Sequence, residues 1–394
     1  MPKTHFILFD DEQRDHLLPL SATRAIADMR IGILTIKEKW EKYLHAPVEI
    51  LTVPYLQPKY TCLLKENTIY INARFLPDAT LLNDIKNLNE HTKLQSEDGQ
   101  VIAIHSVAKL NIGEVLNYNE VHCQIIKLSN YQIKYPWHIF QHNGNEIRND
   151  VALLGLKPNP EKLSATNQLL GSEIYVEDGV KCEFAILNST DGPIYLGNDA
   201  EVMEGCTIRA PFALCEHATL KMQAKIYGDT TIGPYCKIGG EISNSVISGY
   251  TNKAHDGFLG NSVLGEWCNL GADTNNSNLK NNYGKVKAYN YPAKDFINTG
   301  LQFCGLIMGD HSKAAINTQF NTGTVTGVFA NVFSGDFPPK YIPDFAWGEN
   351  AIFQLDKALE VAQRVMERRG LLLSDEDKAV IIYLYEQRTV KALT

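Results

Sequence analysis

Three histidines in the second half of the chain, His217, His255 and His311, have the side chain whose ordinary pKa, about 6.5, allows proton uptake and release near neutrality. No two stand at the short spacing of a metal-binding pair, and the eight cysteines form no CxxC pair, so no metal site is expected. The most specific segment is Asn252-Lys-Ala-His255-Asp256, followed by Asn269-Leu-Gly-Ala272-Asp-Thr274 and Asn278. His311, after Gly309-Asp310, reads as an exposed corner. A phosphorylated substrate needs counter-charges, and Arg209, Lys253, Lys280, Lys285 and Lys287 are candidates; a guanidinium grips phosphate through two parallel N–H groups. Near the N-terminus, Asp10, Asp11 and Glu12 precede Arg14 and Arg24. Without glycines to bring bare backbone close, those carboxylates repel a phosphate unless a metal intervenes.

A repeat must hold these residues. From Leu196 every sixth residue is apolar: Leu196, Val202, Ile208, Leu214, Leu220, Ile226, Ile232 and Ile238. Glycine follows at Gly197, Gly233 and Gly239. The phase slips by two to Val246, breaks at Asn252, and continues through Phe258, Leu264 and Leu270; a third stretch runs from Met308 to Val332. A period of six fits neither a helix nor a lone strand. It fits short strands joined by tight corners, three to a coil, with coils stacked about 4.8 Å apart. Each coil covers the apolar face of the next, so several coils and two caps are needed. Residues 275–303, rich in asparagine and lysine, cannot fill such an interior and should project as an arm; ordered loops on rigid scaffolds often carry function.

The [Leu/Ile/Val]-Gly-x4 pattern resembles the hexapeptide-repeat acyltransferases, left-handed parallel β-helices that usually assemble as trimers with active sites between the prisms. Residues 252–279 are similar to the acetyltransferase half of the bifunctional bacterial enzymes that acetylate glucosamine 1-phosphate and then uridylylate the product. The resemblance implies His255 as the base that takes the amine proton. It places Arg209 toward the sugar phosphate and Asn278 toward acetyl-CoA; Lys253 and Asn269 join the expected substrate-binding set, and Ala272 and Lys285 the expected acetyl-CoA-binding set. This sequence lacks one residue between Ala254 and His255, and has Asp273 for a glycine and Leu279 for a tyrosine. The stretch 9–29, with Leu-Leu-Pro-Leu at 17–20, resembles the nucleotidyltransferase half and implies Asp11, Arg14 and Arg24 near a nucleotide. The aspartate that holds magnesium in that family is Ala73 here, and Asp78 lies too far along to replace it; Mg²⁺ is implied only if this site is active.

The flanks differ from the repeat. Strand signals at 5–9, 48–53, 68–72 and 101–105, with helical spacing over 26–43, predict an α/β domain over 1–158, Rossmann-like and shorter than its relatives. A linker at 159–170 leads to the β-helix at 159–340 with coils from about Ile174; a helical extension at 341–394 holds helices over 351–369 and from Ser374 to about 390.

The 394 residues are 44% hydrophobic and 21% charged, the balance of a globular chain. With 37 basic and 45 acidic side chains, and no basic arm, no nucleic-acid partner is expected. No apolar run is long enough for a membrane span, and the start reads as no secretory signal. The expectation is a cytoplasmic homotrimer with reduced thiols, taking acetyl-CoA and a hexosamine 1-phosphate. The alternatives are a sugar-1-phosphate nucleotidyltransferase, using UTP or dTTP, on a β-helix scaffold, and a non-catalytic module that binds sugar nucleotides.

Overall fold

The computed structural model describes residues 4–119, 122–127 and 132–391. The N-terminal unit is built on a six-stranded sheet. Its strands are β1 (His5–Phe9), β2 (Glu49–Leu51), β3 (Thr68–Asn72), β4 (Thr92–Ser96), β5 (Val101–Ser106) and β6 (His122–Ile126), in the order β2-β1-β3-β5-β4-β6. β1 runs parallel to β2 and β3, and β5 runs antiparallel to β3 and β4. β1 and β3 are continuous apolar runs because helices and loops cover both sheet faces. The helix expected over 26–43 is shorter: α1 covers Ile36–Leu44, and residues 26–28 form a single 3₁₀ turn. Thr35 and Glu38 make a reciprocal capping box that fixes the true start, and Gly32 just before it takes φ +76°. The sequence reading missed β4, β6 and the helix Pro136–Leu153, the longest helix of the unit.

Three parallel ladders of six, nine and ten strands form a left-handed parallel β-helix. The eight inward residues from Leu196 to Ile238 are all 2% exposed or less. After Ile238 the register differs from the expected one. The inward places go to Ile242, Ile247, Lys253 and Leu259, not to Val246, Asn252 and Phe258; Leu264 and Leu270 resume the pattern. Val246 is buried as well, but it faces outward against the N-terminal unit. The coils start before the expected Ile174, and two ladders run past 340. Gln168–Leu170 already pairs with Ile186–Asn188, and Tyr341–Ile342 and Ala346–Trp347 continue two ladders past 340. Ala351–Ile352 then closes the end antiparallel, so the C-terminal helices are Leu355–Glu367 and Asp375–Lys391.

The helix Pro136–Leu153 lies along the nine-stranded face of the prism. Its Asn143 is fully buried and stitches the units together. The side-chain oxygen accepts from the Gly32 N–H (2.8 Å) and from Thr231 (3.1 Å), and the amide donates to the Asp229 carbonyl (2.9 Å). One hydrophobic cluster runs from Leu8, Trp40 and Ile71 of the sheet unit to Val246, Val263, Ile307 and Val325 of the prism. The arm at 275–303 does not project freely. Residues 287–290 and 295–298 pair as an antiparallel hairpin, and Val286, Ala288 and Cys304 join that same cluster.

Along one prism edge, His217, Tyr235, Tyr250, Trp267, His311, Phe329 and Phe345 all hold φ between 54° and 61°. This left-handed conformation is uncommon for bulky residues. Here the corner of each coil imposes it, and the rings stack in one column with centroids 4.1 to 6.1 Å apart. The C-terminal helices pack their apolar faces on the lower rings of this column.

Candidate functional site

His255 lies at the corner after the two-residue strand Asn252–Lys253, and its ring is exposed. No hydrogen bond from a described residue reaches the imidazole. The backbone around it is firmly held: Gly239 N–H donates to the Lys253 carbonyl (2.7 Å), and Asp273 N–H to the Asp256 carbonyl (3.1 Å). Asp256 and Asp273 therefore sit on neighbouring coils beside the histidine.

Lys253, expected to bind substrate, is 1% exposed. It occupies the inward place that Leu220, Ile238 and Leu270 hold in other coils, so its amine faces the prism interior rather than solvent. The ammonium donates to the carbonyls of His255 (2.8 Å) and Gly239 (3.2 Å). Burial pushes its pKa down to about 8, while Asp256 and Asp273 pull it up.

The other expected residues fall into two groups. Asn269 lies one strand over on the outer face of the ten-stranded ladder, where its side-chain oxygen accepts from Asn252 (2.9 Å). The Ala272 carbonyl takes the Asn317 N–H (2.8 Å), and Asn278 donates to the side chain of Asn261 (2.8 Å) beside Gly260. Lys285 is exposed on the arm, and its carbonyl accepts from Lys280 (2.7 Å). Arg209 stands apart. Its strand lies three places from Phe258–Gly260 in the six-stranded ladder, roughly 14 Å along the prism axis. Within one chain, Arg209 and His255 are not neighbours.

His311 is buried, contrary to expectation, at 7% exposure between Trp267 and Phe329. Burial, helped by Lys313, lowers its pKa to about 3, so it is neutral at pH 7. An unfolded histidine protonates near 6.5; the unfolded chain therefore binds the extra proton first, and stability falls as pH drops from about 6.5 toward 3. The slope approaches ~1.4 kcal/mol per pH unit. His311→Phe should remove that slope, because Phe329 and Phe345 already adopt the same backbone conformation in this column. Thermal melts of both proteins from pH 7 to 4 check this, and parallel curves would refute it.

In the N-terminal unit the chain reverses its winding between β1 and β3, and the carboxyl ends of such strands form a ligand crevice. A cleft of about 350 Å³ there is lined by Asp11, Glu12, Gln13, Arg74, Gln100 and Lys134. Asp11 is held by Arg74, Nε to Oδ1 at 2.8 Å and an NH group to Oδ2 at 2.5 Å, and by Asn72 (2.8 Å). Arg14 and Arg24 do not reach this cleft. Arg14 is buried and binds Asp10 (3.3 Å) and the Ser21 carbonyl (2.5 Å). Arg24 pairs with Asp310 and Glu266 of the prism. The residue missed from sequence is Arg74. It ends the apolar run Tyr70-Ile-Asn-Ala-Arg-Phe, and a charge inside such a run was itself a signal.

Asp10 and Asp11 do not fit a magnesium ion. Asp10 is 2% exposed and accepts from Thr52, Arg14 and the Ile26 N–H; Asp11 is saturated by Arg74 and Asn72. Ala73 supplies no oxygen ligand from its side chain.

Residues 6–157 match the family model described as sugar nucleotidyl transferase. No curated protein matches the chain. Among solved structures, the polysialic-acid-specific acetyltransferase NeuO is 15% identical, with 52% of this chain and 94% of that one covered, at a TM-score of 0.28. An Arabidopsis UDP-N-acetylglucosamine acyltransferase is 14% identical over 53% and 79%, at a TM-score of 0.20. The N-acyltransferase AntD from Bacillus cereus, solved with dTDP and 3-hydroxybutyryl-CoA, is 9% identical over 55% and 98%, also at 0.20. The chain thus joins a segment similar to sugar nucleotidyl transferases to a parallel β-helix.

Proposed function

We propose that the protein is a transferase that moves the acetyl group of acetyl-CoA onto the amine of a hexosamine 1-phosphate, with His255 as general base. The reading rests on the imidazole of His255, exposed and free of hydrogen bonds from described residues, on a corner fixed by its neighbours. The amine nitrogen attacks the thioester carbonyl while the imidazole nitrogen takes the amine proton. The carbon–sulfur bond then breaks, and the imidazolium returns the proton to the departing thiolate. A neutral imidazole is the side chain suited to this at pH 7. The other prism histidines serve the reading less well: His311 is buried, and His217 stacks on Tyr235 away from this corner.

The match of residues 6–157 favours a second reading, in which the β1–β3 cleft binds a nucleotide, with Arg74 and Lys134 facing its phosphates. One set of incubations separates the two. Acetyl-CoA with glucosamine 1-phosphate should release free thiol. UTP or dTTP with N-acetylglucosamine 1-phosphate and Mg²⁺ should release pyrophosphate only if the second reading holds. Pyrophosphate without thiol would replace the first reading by the second, and neither product would sink both.

A further inference from the structure

A lysine inside an apolar prism needs a reason. Transferring a charged amine from water to a protein interior costs several kcal/mol, and the same column elsewhere is filled by leucine, isoleucine, alanine, valine and Cys182. Lys253 lies two residues before His255, and its ammonium meets the His255 carbonyl at 2.8 Å. Gly240 makes room for it: at φ +79° it has no side chain, and a Cβ there would lie 3.0 Å from the Lys253 nitrogen. The charged groups facing that nitrogen are Asp256 and Asp273, the two carboxylates that flank the histidine.

We propose that Lys253 is a positioning residue for His255: sealed in the prism, its ammonium holds the His255 carbonyl and so fixes the corner from which the imidazole stands out. The bond from a buried ammonium to this carbonyl is the feature that carries it. An apolar residue at 253 would leave that oxygen without its donor, and the corner would turn to find another. The imidazole, one side chain away, would move with it. This inference rests on the acetyl-transfer reading, and it assigns Lys253 no contact with substrate.

Lys253→Met keeps the unbranched shape, one atom shorter, and removes the charge. It should lower kcat by about tenfold to a hundredfold, the usual cost of a displaced catalytic group, and leave KM for both substrates unchanged. Its melting temperature should stay near that of the parent, because removing a buried charge offsets the two carbonyls left without their donor. In a His255→Ala background the same change should cost nothing further, since a residue acting through another has no effect once that other is gone. Losses that multiply in the double variant, or a kcat drop that tracks a falling melting temperature, would overturn the proposal. Lys253→Leu, the residue type of Leu220 and Leu270, repeats the test should the methionine variant fail to fold. A readout independent of turnover is the carbonyl ¹³C signal of His255 in histidine-labelled protein, identified by its absence in His255→Ala. Loss of a charged donor should move it upfield in Lys253→Met; an unmoved signal means that the lysine does not hold the corner. A parent that turns over nothing while the signal moves would defeat the acetyl-transfer reading and leave the clamp standing.

Discussion

His255→Ala should lower kcat for acetyl transfer by a factor of about 10²–10⁴, the usual contribution of a positioned general base. KM for the amino sugar should barely change, because the imidazole takes part when the amine loses its proton and contributes little to ground-state binding. The fold should be untouched. The side chain is exposed and makes no hydrogen bond to a described residue, so its removal falls among surface changes worth within about 0.5 kcal/mol. Stopped assays of thiol release over a range of amino-sugar concentrations, with a thermal melt of each protein, read all three quantities. Equal kcat in parent and variant would remove His255 from the mechanism.

Arg24→Ala should produce the largest loss of stability. Arg24 meets Asp310 and sits 2.9 Å from Glu266, and Thr23 donates to the same Asp310 carboxylate at 2.6 Å. The side chains of Arg24 and Asp310 are 11% and 5% exposed, so deleting the guanidinium leaves a carboxylate buried without its counter-ion. Breaking such a pair from one side costs about 3–5 kcal/mol. Arg24→Ala combined with Asp310→Asn should recover much of that. Burial alone would raise the Asp310 carboxyl, but Arg24, Thr23 and the Glu266 N–H outweigh it and hold the pKa below the ordinary 3.8. A carboxyl lowered in the folded state contributes stability above its unfolded value, and that contribution fades as pH falls through the folded one. The difference between parent and Arg24→Ala in denaturant midpoint should therefore shrink below about pH 4. A constant difference down to pH 2.5 would argue against the pair.

The repeat was legible because the interior of a coil admits little but apolar side chains, and eight residues in step from Leu196 to Ile238 leave a clear trace. The trace blurred where the register changes after Ile238. Lys253 breaks the apolar series, so the reading followed Val246 and Phe258, which are one residue out of place. Val246 was misleading because a second domain covers the outside of the prism, which a single-sequence pattern does not reveal. The exposed corner that carries His255 lies in the segment the sequence singled out. Arg14 and Arg24 were misplaced because a motif shows charge but not direction. In the folded chain one turns back to Asp10 and Ser21, and the other crosses to residues more than two hundred positions away. Arg74 escaped because attention fell on the absent aspartate beside it at Ala73.

The cluster that runs from Trp40 and Ile71 to Val246, Ile307 and Val325 has a consequence for how the chain is made. A ribosome adds roughly 5–20 residues per second, so the prism strands that cover the helix Pro136–Leu153 emerge several seconds after it. Through that interval Ile147, Val151 and Asn143 keep only their contacts with Ile33 and Gly32 and lack those with Tyr195, Ala213, Asp229 and Thr231. The N-terminal unit is therefore first in synthesis and last to be complete. Its final surface is supplied by coils translated later, and a nascent chain stalled before Val325 would carry a sticky, half-finished face.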